Sequence, residues 1–216
     1  MPYKAIIFDL DGTLLDTLED LADSMNAALA RLGAPQHPAP AYKHFVGDGV
    51  IELCRRTLPP DRRDEPAIKQ AVQLMREEYG RRWADKTRPY DGIPELLGAL
   101  TARGFTMTVL SNKPTDFTRL CVQKFLGRWQ FAAVQGLDET VKKKPDPSGA
   151  LAVAHQLGIP PADFLYLGDT NTDMKTAVAS GMYPVGALWG FREANELTAN
   201  GAKVLVAKPA EVLRLL

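Results

Sequence analysis

Cysteine is nearly absent from this chain: its 216 residues include two, Cys54 and Cys121. They lie far apart in apolar helical patterns, which argues against a disulfide framework and for buried thiols in a reducing cytoplasm. Histidine is almost as scarce. His37, His44 and His155 show no ligand spacing with one another or with cysteine, so no zinc site is expected. Neither sign of charge dominates, with 26 Lys+Arg against 26 Asp+Glu. That balance removes the electrostatic case for a nucleic-acid or anionic-membrane partner. No segment is long and apolar enough to span a bilayer, and the start of the chain lacks the charged-then-apolar pattern of a signal peptide. Repeats and low-complexity tracts are also missing. The expectation is a soluble, cytoplasmic globular protein with room for one core and an inserted subdomain.

The order of elements is legible from periodicity. Ala5–Phe8 reads as a buried parallel strand. A helical stretch follows, with apolar residues at Leu21, Ala22, Met25, Ala28, Leu29 and Leu32, capped by Asp16 or Thr17 and stopped by Gly33 and Pro35. Further helices are expected over about Asp48–Leu58, with Val50, Ile51, Cys54 and Leu58 inward, and about Pro66–Trp83. From Pro89 the rhythm becomes alternating. Helices are expected at Pro94–Arg103, Thr115–Phe125, Pro147–Leu157, Asn171–Ser180 and Ala210–Leu216. Strands are expected at Thr106–Leu110, Phe131–Val134, Phe164–Leu167, Pro184–Leu188 and Val204–Val206. Alternation of this kind implies a doubly wound parallel sheet of Rossmann-like α/β class. The expected organisation is a core of residues 1–16 and 86–216, interrupted after its first strand by an all-helical cap of residues 17–85.

Chemistry gathers where apolar strands end, which is where open α/β sheets place ligands. The first strand runs into Asp9-Leu10-Asp11-Gly12-Thr13. Such a sequence is also ordinary turn chemistry, so its weight comes from matching features elsewhere. Thr106–Leu110 ends in Ser111-Asn112-Lys113, whose hydroxyl, amide and backbone N–H groups suit a phosphate oxygen. Lys144 precedes Pro145, which restricts its backbone and allows delivery of one fixed positive charge. Lys142 and Lys143 read as surface residues. Phe164–Leu167 ends in Gly168-Asp169-Thr170-Asn171-Thr172-Asp173. A helix cap accounts for one acid there, but not for a second acid four residues on. Two carboxylates about 4 Å apart repel by roughly 4 kcal/mol at an effective dielectric near 20. A divalent cation relieves this, and all-oxygen ligands suit Mg2+.

With these motifs in this order, the chain resembles the haloacid-dehalogenase superfamily of phosphatases, within it the phosphoglycolate-phosphatase-like group with a helical cap. The resemblance spans essentially the whole chain. It rests on Asp9-Leu10-Asp11-Gly12-Thr13, Ser111-Asn112, Lys144-Pro145, and Gly168-Asp169 with Asp173. It implies that Asp9 attacks phosphorus and forms an aspartyl-phosphate. Asp11 would protonate the leaving oxygen and then activate water. The carboxylates of Asp9 and Asp169, with the main-chain carbonyl of Asp11, would hold Mg2+, and Asp173 would support that shell. Ser111 and Asn112 would bind the substrate phosphate, and Lys144 would neutralise it and orient Asp9.

The partner so implied is a small-molecule phosphate ester, met by a monomer or homodimer. Asp11 argues against a dehalogenase, which lacks that second acid. The Phe45–Gly49 stretch does not show the pattern of a phosphonoacetaldehyde hydrolase. The Gly47-Asp48-Gly49 turn and the helix after it resemble the phosphoglycolate-phosphatase cap, and that resemblance implies 2-phosphoglycolate ahead of pyrophosphate, a nucleotide or a sugar-phosphate mutase reaction. Lys43, His44, Arg55 and Arg56 flank that turn and are candidates to meet an anionic leaving group. A signalling receiver domain also phosphorylates an Asp beside Mg2+, but its acceptor lies on a later strand and it needs no helical insertion.

Overall fold

Ala5–Phe8, none of them exposed, form β1. A strand covered on both faces needs an unbroken apolar run rather than alternation. The structure is a computed structural model that describes residues 3–216. From β1 the chain passes through β2 (Leu15–Asp16) into α1 (Leu18–Arg31), α2 (Tyr42–Phe45), α3 (Gly49–Thr57) and α4 (Glu65–Arg82), and returns through β3 (Arg88–Pro89), the partner of β2. Alternation follows: α5 (Ile93–Ala102), β4 (Thr106–Pro114), α6 (Thr115–Leu126), β5 (Ala133–Leu137), α7 (Ser148–Leu157), β6 (Phe164–Gly168), α8 (Asn171–Ser180), β7 (Tyr183–Ala187), α9 (Ala194–Ala199) and β8 (Val204–Val206). The chain divides into two compact units, one of Asp16–Arg88 and one of the remainder.

The larger unit is built on a six-stranded sheet of order β5-β4-β1-β6-β7-β8, parallel at every pairing. The chain winds outward from β1 through β4 to β5, then crosses to β6 on the other side of β1. That reversal opens a crevice at the carboxyl end of β1, the ligand position of a doubly wound sheet. One face of the sheet packs Ala5, Ile7, Leu110, Phe164 and Tyr166 against Ala150, Val153 and Ala154 of α7 and Ala177 of α8.

Several boundaries differ from the sequence expectation. β4 continues four residues past Leu110, with a register irregularity before Pro114 pairs with Leu137. Polar Ser111-Asn112-Lys113 reads as a strand end, yet all three residues are buried and still extended. The next strand begins at Ala133 rather than Phe131, and the short helix α9 had no strong periodic signal. The final segment, expected as an α-helix over Ala210–Leu216, is a 3-10 helix over Pro209–Leu215. So short a terminal segment has few turns over which i→i+4 bonding can propagate.

In the helical unit, α1 buries Leu21, Ala22, Met25, Ala28 and Leu29, and α4 buries Ile68, Ala71, Met75 and Tyr79. α3 meets its expected face in part: Cys54 and Leu58 are buried, but Ile51 is 52% exposed, and Leu53 and Thr57 are buried as well. Thr17 occupies the N-cap position of α1 without a side-chain capping bond. Asp20 in the first turn instead accepts from Thr87 N at 2.8 Å, Thr87 Oγ1 at 2.7 Å and Lys86 N at 3.1 Å. The basic residues beside the glycine turn are engaged inside this unit: Arg55 pairs with Glu52, and Arg56 with Asp48 and the Phe45 carbonyl. Lys43 and His44 are exposed.

Candidate active site

Asp9 is the first residue past β1, and its N–H still bonds the Leu167 carbonyl of β6 at 2.9 Å. The sheet ladder therefore fixes its backbone, and only 6% of the residue is exposed. Lys144 reaches it from the loop after β5. Its Nζ lies 2.8 Å from Asp9 Oδ1, 2.7 Å from Asp173 Oδ1 and 3.1 Å from the Leu110 carbonyl. Asn112 sets the lysine in place, since its Oδ1 accepts from Lys144 N at 2.8 Å and its Nδ2 donates to the Lys144 carbonyl at 3.2 Å. Asn112 is expected at the substrate phosphate, and its side chain also joins β4 to the backbone of the lysine loop. Lys142 and Lys143 are exposed, as expected of solvated charges.

Asp169 follows β6 and is fully buried. Its Oδ1 accepts from Thr13 Oγ1 at 2.9 Å and its Oδ2 from Phe191 N at 2.8 Å. Trp189 Nε1 donates to the Thr13 carbonyl at 2.9 Å, bracing the same turn. Gly12 is at φ +92°, and a Cβ there would collide with the Asp169 carboxylate. The turn after Asp11 therefore needs glycine for both conformation and space. Asp173 is the N3 residue of a capping box on α8: its Oδ2 accepts from Thr170 N at 3.1 Å and Thr170 Oγ1 at 2.6 Å. Helix capping thus accounts for the second acid after all, and the same carboxylate also meets Lys144.

The structure therefore gathers Asp9, Asp169, Asp173 and Lys144 at one point. Carboxylate oxygens of the three acids lie within 4.8 Å of one another. Asp11 stands beside them with a lysine of its own. Lys113 Nζ is 2.8 Å from Asp11 Oδ1 and 3.1 Å from Oδ2. Ser111, 5% exposed, sits at the end of β4, its Oγ accepting from Lys113 N at 3.3 Å. Lys113, Thr13 and the Phe191 N–H are site groups that sequence reasoning did not single out. Lys113 and Thr13 stand within the segments Ser111-Asn112-Lys113 and Asp9–Thr13, but neither side chain was given a task of its own. Thr13 meets Asp169 across 156 positions of chain, which no local pattern reveals.

Burial dominates the electrostatics. It pushes the Asp9 carboxyl up to about 7, against the lowering pull of Lys144 and with the repulsion of Asp173. Burial, then Asp9 and Asp173, hold Asp169 well above the ordinary carboxylate range, against its bonds from Phe191 and Thr13. For Lys144 burial acts downward, but Asp173 and Asp9 outweigh it and leave the ammonium well above its ordinary value. Asp9 and Asp173 share one ammonium, and Asp169 lies beside them with bonds from Thr13 and the Phe191 N–H. Their donor set is all oxygen and short of positive charge, which fits a hard divalent cation.

Comparison with known proteins agrees with this geometry. Residues 6–187 match the family model of haloacid dehalogenase-like hydrolases. A phosphoglycolate phosphatase of Nitrosospira multiformis is 32% identical over 100% of this chain and 96% of its own length. An N-acetylmuramic acid 6-phosphate phosphatase of Pseudomonas aeruginosa is 31% identical, with the same coverage. Among solved structures, a predicted phosphoglycolate phosphatase from Haemophilus somnus superposes with a TM-score of 0.91 at 27% identity, covering 100% of this chain and 98% of that one.

Proposed function

The chain belongs to the haloacid dehalogenase-like hydrolase family and is a phosphoric monoester hydrolase within it; we propose that it hydrolyses a small phosphate monoester, 2-phosphoglycolate first, through an aspartyl-phosphate on Asp9, with Mg2+. The observation that carries this reading is the buried Lys144 bridge between Asp9 and Asp173, with Asp169 alongside. Lys144 fixes one oxygen of the Asp9 carboxylate and supplies charge for an incoming phosphoryl group. Charge compensation and positioning are what an anionic nucleophile attacking a phosphate requires.

In the first half-reaction a carboxylate oxygen of Asp9 bonds to phosphorus, the bond from phosphorus to the leaving oxygen breaks, and Asp11 gives that oxygen its proton. In the second, Asp11 takes a proton from water, the water oxygen attacks phosphorus, and Asp9 is released as carboxylate with inorganic phosphate. Ser111 binds a phosphoryl oxygen in both halves. Asp9, Asp169 and the Asp11 main-chain carbonyl would hold the cation, with Asp173 in support. Bound there, Mg2+ would offset phosphoryl charge.

Substrate choice rests on the relatives, because Arg55 and Arg56 already pair inside the helical unit. The second reading, N-acetylmuramic acid 6-phosphate, is favoured by the Pseudomonas aeruginosa relative. Both molecules carry a carboxylate besides the phosphate. A charged hydrogen bond to it is worth about 1.5–3 kcal/mol, or roughly a tenfold to hundredfold preference over a neutral ester. The reading includes a cytoplasmic setting, in keeping with buried thiols at Cys54 and Cys121 and with no helix among the described residues that could cross a membrane. The protein would act as a monomer or homodimer.

The test compares kcat/KM for phosphoglycolate, N-acetylmuramic acid 6-phosphate, ethyl phosphate, pyrophosphate, AMP and glucose phosphates. Phosphoglycolate should lead. A lead for pyrophosphate or AMP, or isomerisation of a glucose phosphate without phosphate release, overturns the substrate choice. Ethyl phosphate matching phosphoglycolate shows that no carboxylate is read.

A further inference from the structure

Lys113 is a second buried lysine at the strand ends, its side chain 3% exposed and in contact with both oxygens of Asp11. Its backbone is held from two sides, its N–H on Ser111 Oγ at 3.3 Å and its carbonyl accepting from Thr118 Oγ1 at 3.1 Å. Gly136 of β5 lies so close that a Cβ there would collide with the Lys113 carbonyl. The lysine thus projects from a fixed point. Asp11 belongs to the tight turn beside Gly12, bridged to Leu15, and its carboxylate is met by Lys113. Lysine is almost never buried without a partner, and an apolar residue would fill such a position at less cost than a desolvated ion pair.

We propose that Lys113 is the positioning residue for Asp11, holding its carboxylate in the orientation from which it serves the leaving oxygen and the hydrolytic water. The proposal rests on the reading of Asp11 as general acid and base. Small errors in placing such a group cost about a hundredfold in rate, so Lys113→Met should lower kcat for an alkyl phosphate roughly tenfold to hundredfold, with KM nearly unchanged. The loss should be smaller for an aryl phosphate, whose leaving group needs less protonation.

The decisive experiment is a double-mutant cycle with Asp11→Asn, using ethyl phosphate and an aryl phosphate. If Lys113 acts through Asp11, the double variant is no slower than Asp11→Asn alone. Lys113→Gln, of similar length and still a donor, is measured alongside so that a folding defect in one variant leaves the cycle intact. An unchanged kcat, additive losses, equal losses for both esters, or a raised KM at constant kcat would each overturn the proposal, the last by making Lys113 a substrate contact. Wild-type rates in Asp11→Asn would instead bring down the reading of Asp11 itself.

Discussion

Replacing Lys144 with methionine keeps most of the apolar stem and deletes the one ammonium shared by Asp9 and Asp173. Both ion pairs are short, at 2.8 and 2.7 Å, and the lysine side chain is only 4% exposed. Removing one partner of a buried pair costs about 3–5 kcal/mol, because the stranded carboxylate stays desolvated. For a chain of this size that corresponds to a melting point lower by about 6–20 °C. The loss must depend on pH. Burial already raises the Asp9 carboxyl to about 7 with Lys144 pulling it down, so without Lys144 it rises further. An acid whose folded value exceeds its unfolded value contributes stability that is complete below the unfolded value, near 4, and disappears as pH climbs through the folded value. The variant therefore takes up more protons on folding than the wild type, and its deficit should widen from pH 5 to pH 8. Thermal and urea unfolding of both proteins in EDTA at those two pH values measures this. Equal deficits at both, or a loss under about 1 kcal/mol at pH 8, would refute the claim that Lys144 compensates buried carboxylate charge.

The same charge balance governs the acids. Asp9→Asn should abolish phosphatase turnover yet stabilise the metal-free protein at pH 8, by at most about 4 kcal/mol given the raised carboxyl; an inactive variant that is also less stable would contradict the burial argument. Mg2+ should raise the melting point of the wild type at pH 8, and Asp169→Asn should remove most of that rise. A full Mg2+ response in Asp169→Asn would exclude this carboxylate as a ligand.

Local pattern carries far in this chain, and its failures have physical causes. β1 and α8 could be read to the residue, because an apolar run between turn residues and a Gly181 stop leave little choice. The end of β4 could not, since buried Ser, Asn and Lys look like a loop until their partners are known. The face of α3 was legible only in part, with Cys54 and Leu58 inward but Ile51 outward, because nine residues span too few turns for periodicity to fix an orientation. At the site, Asp9, Asp169, Asp173 and Lys144 were visible as chemistry at strand ends, whereas their connections were not. The hold of the Asn112 side chain on a backbone 32 residues away had no local signal. Asp173 looked unnecessary as a cap and proved to be one, while also meeting Lys144.

In the mechanism proposed above, Asp9 and Asp11 are identical side chains two positions apart with different chemistry. Chain alternation would aim both toward the same region, so the distinction must come from what surrounds them. Asp9 is locked by the sheet ladder, shares its lysine with Asp173 and lies close to Asp169. It is a carboxylate among carboxylates, with more negative charge nearby than one ammonium can offset. Asp11 has an ammonium contacting both of its oxygens and a side chain 13% open to solvent. The first environment suits a fixed group that works once added positive charge and a phosphoryl group arrive. The second suits a group that must exchange protons with a leaving oxygen and with water. On that proposal, supplying each acid with a separate lysine, one from the loop before α7 and one from the end of β4, would let a single Asp-X-Asp turn carry both tasks.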